Sequence, residues 1–194
     1  LLDGSANNSG SIDVSSATES GGQATILGGS VDSSGSIEAS GSTGGGRVLI
    51  GGDYLGSNSD FSNSQKSVLS GSVSVNALES GNAGRVIIWS DERTDFTGSI
   101  EAIGGNGFVE TSSKNNLQAS GVVTAPGGEW LLDPRNVTIS SITASGSFDS
   151  GNPNTFTPSD DSSIVDVSTI TSSLSGGTDV TITTGSDGVQ NGDI

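Results

Sequence analysis

The chain contains no cysteine and no histidine. Without them the common nucleophile–base pairs and the His/Cys transition-metal sites cannot be built, and no disulfide framework holds the fold. The absence of cysteine suits a protein exported unfolded through a narrow pore and suits a cytosolic protein equally. Aromatic residues make up 4% of the 194 residues and all hydrophobic residues 30%, too few for one large globular core. Basic residues are scarce: six stand against 22 acids, for a net charge of −16, and all six lie between Arg47 and Arg135. Such a surface repels nucleic acid and anionic membranes, so neither is expected as a partner. No apolar run approaches the ~18 residues of a spanning helix, so no membrane insertion is expected. Helical periodicity is almost missing too, and β-branched residues dominate the apolar set. There is no initiator Met and no signal peptide, and the chain stops at Gly192-Asp193-Ile194, at an apparent strand start. The expectation is an internal fragment of a longer protein.

What the chain does have is a repeated phrase. Gly10-Ser11-Ile12-Asp13-Val14 returns as Gly35-Ser36-Ile37-Glu38-Ala39, Gly71-Ser72-Val73-Ser74-Val75, Gly98-Ser99-Ile100-Glu101-Ala102 and Gly121-Val122-Val123-Thr124-Ala125. Each copy precedes a Gly-rich stretch and a second apolar run, such as Arg47-Val48-Leu49-Ile50, Arg85-Val86-Ile87-Ile88 or Trp130-Leu131-Leu132. Two short strands and two turns, repeated every 22–27 residues, predict an all-β fold, a parallel β-helix (β-solenoid) in which a thin apolar seam per turn suffices because each turn stacks on the next. Alternation points Ile12, Ile37 and Ile100 inward, with Asp13, Glu38 and Glu101 facing water. Paired glycines mark the corners. At one strand spacing per rung, eight or nine rungs would give a rod of roughly 40 Å.

The spacing breaks once. Ile37 to Val73 is 36 residues, so about eleven residues are inserted, within Gly52–Asn63, and the elaborated loop is set at about 52–66. After Asp133-Pro134-Arg135 a second long loop with two prolines is expected at about 144–162, then strand-like runs around Ile164 and Val180, and a helical turn over 168–174 ended by Gly176-Gly177. The whole, 1–194, reads as a single continuous β-helix segment.

Chemistry is sparse. The acid pairs Asp91-Glu92 and Asp160-Asp161 put adjacent side chains on opposite strand faces, so neither forms a ready acid/base dyad there. No Asp-x-Asp-x-Asp-Gly loop supports calcium, and no catalytic residue, metal or cofactor is expected. A polysaccharide-active β-helix enzyme would have to rest on Asp91 or Asp161. Arg47 and Arg85 occupy the same place in their repeats, which suits a structural ladder. Trp89 and Trp130 read as core or corner packing, with an exposed sugar platform as the sharper option. Insertions in a solenoid often bind, so Asp53, Tyr54, Phe61, Phe148 and Phe156 are the candidate recognition residues, against the plainer reading of a solvated loop. Two Asn-x-Ser/Thr sequons make Asn7 and Asn136 candidate glycosylation positions.

The segment Asn82-Ala83-Gly84-Arg85-Val86-Ile87-Ile88-Trp89-Ser90-Asp91-Glu92-Arg93-Thr94-Asp95-Phe96-Thr97-Gly98-Ser99-Ile100-Glu101-Ala102 resembles the filamentous-haemagglutinin-like large exoproteins of bacterial two-partner secretion. The likeness continues through Gly107–Ser112, Glu129-Trp130-Leu131-Leu132-Asp133-Pro134-Arg135-Asn136-Val137-Thr138-Ile139, Gly176–Thr183 and Asn191–Ile194. It implies a right-handed parallel β-helix exported across the Gram-negative outer membrane by a dedicated barrel transporter, to be secreted or held at the bacterial outer surface. It further implies attachment to a receptor or glycan on a host or neighbouring cell, with a stalk for a contact-dependent toxin or haem acquisition as alternatives. The chain departs from the family after Glu101-Ala102, where Ile103-Gly104-Gly105-Asn106 replaces an Arg and a longer Gly-rich stretch, so this rung is expected to be tighter or its turn differently packed. The family's amino-terminal secretion domain is not recognisable, which reads this piece as the shaft beyond it.

Overall fold

The computed structural model describes residues 4–141 and 163–184, together with the backbone of 146–148 and 156–158. The first coil comprises β1 (Ser5–Asn8), β2 (Ser11–Asp13) and β3 (Gln23–Ile26), and the second β4 (Ser30–Ser33), β5 (Ser36–Glu38) and β6 (Arg47–Ile50). The third has β7 (Lys66–Leu69), β8 (Ser72–Ser74) and β9 (Arg85–Ile88); the fourth has β10 (Arg93–Phe96), β11 (Ser99–Glu101) and β12 (Phe108–Thr111). The fifth is β13 (Asn116–Ala119), β14 (Val122–Thr124) and β15 (Glu129–Leu132). Equivalent strands stack in parallel, giving three sheets that enclose one apolar core: a parallel β-helix.

Each coil thus has three strands where the sequence suggested two. The third strand is the more polar one (Ser-Ala-Asn-Asn, Ser-Val-Asp-Ser, Arg-Thr-Asp-Phe): Ser33, Ser67 and Thr94 share its inward face with Val31, Leu69 and Phe96, so each copy shows one inward apolar residue instead of an apolar run. Residues spent on the insertion before β7 and on the segment between β15 and Ile164 shorten the rod. Among the described residues there are five full coils and an altered sixth, instead of eight or nine.

The sixth coil is assembled out of order. After β15 the chain forms β16 (Thr138–Ser140), then the antiparallel pair β17 (Gly146–Phe148) and β18 (Phe156–Pro158), and only then β19 (Ile164–Asp166). β19 inserts between β13 and β16, so the edge strand of the first sheet is laid down before the strand inside it. The expected loop at 144–162 therefore contains two strands, with Phe148 and Phe156 opposite one another in register; its remaining residues, Asp160 and Asp161 among them, lie outside the described residues.

In the second sheet a helix, α1 (Val167–Ser175), replaces the sixth strand before β20 (Asp179–Ile182) continues the third sheet. Asp166 caps its first turn by accepting from the Ser168 N–H, and Gly176 with Gly177 (φ +82°) ends it. The helix satisfies the edge of β14 with side chains. The Thr169 hydroxyl donates to the Gly121 carbonyl, the Ser173 hydroxyl to the Val123 carbonyl at 2.9 Å, and Thr178 Oγ1 accepts from the Ala125 N–H at 2.9 Å. A sheet edge that would otherwise invite pairing is closed by hydroxyls.

Two devices explain the composition. A glycine column runs down the corner between the first and second sheets (Gly10, Gly35, Gly71, Gly98), where each glycine after the first lies against the carbonyl of the one below. At the corner between the third and first sheets, buried hydroxyls stand in for core. Ser67 Oγ donates to the Trp89 carbonyl at 2.8 Å, Ser90 Oγ and Thr94 Oγ1 are 2.8 Å apart, and Thr94 donates to the Ser112 carbonyl at 2.8 Å. Ser67 and Thr94 pair with backbone carbonyls at the turns, and Ser90 pairs with the Thr94 and Ser113 hydroxyls, so polar burial costs little here. The turn at Ile103–Asn106 is indeed tight: six residues join β11 to β12, against ten from β8 to β9, and Gly104, Gly105 and Asn106 all take positive φ.

Candidate functional site

The outer face of the third sheet is where the rod departs from plain repetition. In β6 and β9 the apolar runs Val48-Leu49-Ile50 and Val86-Ile87-Ile88 do not alternate, so side chains on both faces need cover. Val48, Ile50, Val86 and Ile88 fill the core; Leu49 and Ile87, paired in register, point outward and form a second cluster with Trp89. The inserted segment supplies the lid. Fifteen residues (51–65) join β6 to β7, against three or four at the same corner of neighbouring coils. They fold back as a strap over the sheet, and Lys66 already belongs to β7, so the insertion ends one residue earlier than its expected boundary.

The strap is held at four points. Asp53 is buried, paired with Arg47 Nη2 at 2.5 Å, and accepts from Asn58 Nδ2 at 2.7 Å and from the Tyr54 N–H at 2.8 Å, capping the short 3-10 turn Tyr54–Gly56. Burial alone would raise its pKa, but the Asn58, Arg47 and Tyr54 contacts together hold it below the ordinary carboxylate range. Leu55 adopts φ +53°, a left-handed conformation rare for a branched side chain, and thereby aims its N–H at the Glu110 carboxylate, 3.2 Å from Oε1 and 3.3 Å from Oε2. Gly56 lies flat against the Trp89 indole, where a Cβ would collide with the ring. Asn63 Nδ2 bridges the Gly56 carbonyl and Asp91 Oδ1, each at 3.0 Å.

Of the candidate recognition residues, then, Asp53 is an anchor and Phe61 packs half-buried on the Leu49–Ile87–Trp89 cluster. Tyr54 stays 40% exposed and rests on Arg85. The loop is a folded, sheet-bound element, distinct from a free solvated bulge. Trp89 lies beneath it, and Trp130 is core, so neither offers a bare sugar platform. Asn7 is exposed on β1, and Asn136 is half-buried just before β16. The Arg47–Arg85 ladder is present in register, but its two members do different work.

Sequence reading gave Arg85 only as a ladder member and did not single out Glu110. Arg85 lies over the Phe108 ring at 4.3 Å and the Tyr54 ring at 4.8 Å, while the two rings meet edge-on with centroids 5.8 Å apart. Glu110 stands in the outward row of Leu49, Ile87 and Leu131, yet is 0% exposed. Burial pushes its pKa up to about 7, against the Leu55 N–H, Ser112 and Arg85, with Asp133 adding to the rise. The signal available in the sequence was the unbroken apolar run, which announces a covered outer face; nothing local says what covers it.

Because the folded pKa of Glu110 lies above its ordinary 4.5, the native state holds the extra proton between those values. Stability contributed by this group is complete below about pH 4.5 and falls as pH rises through about 7. Glu110→Gln should therefore flatten the pH profile and raise stability at pH 8 by roughly 1–2 kcal/mol, since an amide oxygen still accepts from Leu55. Urea midpoints at pH 5 and pH 8 test this; equal pH slopes for the two proteins would reject it.

Asp91, from one of the two acid pairs, is occupied in the strap: it accepts from Asn63 and, at 3.4 Å, from Trp89 Nε1. Among the described residues no three carboxylates gather at metal-binding separation, and no helix is long and apolar enough to cross a membrane. The sequence matches no protein-family model, and a search of curated proteins also found no match.

Proposed function

We propose that this chain is a shaft segment of a secreted, adhesin-type exoprotein of the filamentous-haemagglutinin kind, exported by an outer-membrane barrel transporter. It works by geometry, not by catalysis. The observation that carries the reading is the way the strap is accommodated. β6 and β9 keep residue-for-residue register from Arg47↔Arg85 to Ile50↔Ile88 although fifteen residues intervene at the next corner. The rod continues undisturbed and a folded element is fixed to its flank, which is the design of a display scaffold. Parallel stacking supplies stiffness, and the exposed acids Asp13 and Glu101 on the second sheet keep the flank soluble.

The test is attachment by the full exoprotein displayed with its transporter. Replacing residues 53–62 by a short Gly-Ser link should cut adherence to target cells at least severalfold, with the rod's far-UV spectrum retained. Unchanged adherence after this replacement and after removal of 144–162 would relegate both elements to structural cover. Export without any barrel transporter would overturn the secretion route.

A further inference from the structure

We propose that Arg85, with Arg47 beside it, reads a carboxylate of an acidic glycan on the outer face of the third sheet. The proposal deepens the display reading by naming the ligand class. Only six basic residues occur in a chain of net charge −16, and two of them stand in register on adjacent strands, about 4.8 Å apart along the rod. Arg47 spends one nitrogen on Asp53; its Nε is buried and lacks an acceptor. Among the described residues Arg85 has neither an ion pair nor a side-chain hydrogen bond. Its contacts are the faces of Phe108 and Tyr54, and Glu110 feels its charge without reaching ion-pair distance.

A guanidinium laid against aromatic rings is held in plane, with its N–H edge free for two parallel bonds to a carboxylate. Holding it so in advance removes much of the ordering cost of binding. The surroundings fit a saccharide. An open groove beside the pair is lined by Gly22, Gly46 and Gly84 and by the side chains of Gln23, Asn106 and Phe108, which offer backbone, amides and a ring to a sugar. Charge narrows the ligand further. The acidic body repels a densely anionic polymer, whereas one carboxylate meeting two arginines gains local attraction. A uronic-acid sugar with an isolated carboxylate suits this balance better than a polysulfated chain.

The experiment is calorimetric titration of the 194-residue protein with the methyl glycoside of galacturonic acid, which carries a single carboxylate, and with the methyl ester of that sugar. The free acid should bind saturably, and the ester at least tenfold more weakly. Arg85→Gln should lose the same factor, and Arg85→Lys should fall between, since it keeps charge but not the plane. The ester comparison uses the unaltered protein, so it holds even if a variant misfolds. Equal binding of acid and ester, an unchanged Arg85→Gln, or no saturable binding of the acid would each overturn the site. Titration without any effect of strap replacement on cell attachment would retire the display reading and leave this site standing. Attachment that needs the strap, together with no binding of the acid, would do the reverse.

Discussion

Trp130→Ala should cost about 3–5 kcal/mol, the cost of emptying a large buried aromatic position. Trp130 occupies a row otherwise filled by Ala24, Val48, Val86, Val109 and Val180, and it is 0% exposed. Space for it comes from the facing sheet, where the same coil carries Ala119 between Phe96 and Val165. The indole fills that volume edge-on to Phe96, centroids 6.2 Å apart, and donates from Nε1 to Thr111 Oγ1 at 2.9 Å. Truncation therefore opens a cavity and strands a buried hydroxyl. A coil touches only its neighbours, so the loss should fall on the coupling between coils five and six before it reaches the rest. Hydrogen exchange should show β15, β20 and α1 losing protection ahead of β6 and β9. Trp130→Phe, which keeps most of the volume and loses the N–H, should cost about 1 kcal/mol. Uniform loss of protection along the rod, or a neutral Trp130→Ala, would contradict this account.

Gly71→Ala should cost about 3 kcal/mol, and Gly10→Ala almost nothing, although the two glycines open copies of the same phrase. A Cβ on Gly71 would sit far inside van der Waals contact with the Gly35 carbonyl oxygen, and its other nearest atoms are Ser34 backbone, so no flexible side chain is there to yield. Gly10 meets nothing within 4 Å and has no positive φ to protect. In this chain an alanine there should be neutral, or slightly stabilising through the unfolded state. Urea unfolding of the two single variants gives the comparison directly; similar midpoints would show that the column is looser than its backbone contacts imply.

The same contrast runs through the molecule. The β-helix itself was legible, because Ser-Ile-Glu and Ser-Ile-Asp alternate and recur, and alternation at a fixed period has one economical packing. The position of the insertion followed from one broken interval. The more polar strand of each coil was not legible, since Ser67 and Thr94 satisfy buried turns through hydroxyls and leave Leu69 and Phe96 as single inward apolar residues. Nor was the strap's role. Ile87 lies 26 residues or more from Leu49, Tyr54 and Phe61, and only the stacking of coils makes them one surface.

By itself, then, the sequence determined the repeat, the direction of each alternating side chain and the absence of His/Cys chemistry, because these depend on neighbours one or two positions away. Tertiary structure decided which of two identical glycines is indispensable, which outward position becomes the buried Glu110, and which arginine lies on aromatic rings without an ion pair among the described residues. Those properties belong to what the coil below or the strap above places within a few ångströms, and in a stacked rod that neighbour lies some 25 residues distant in the chain.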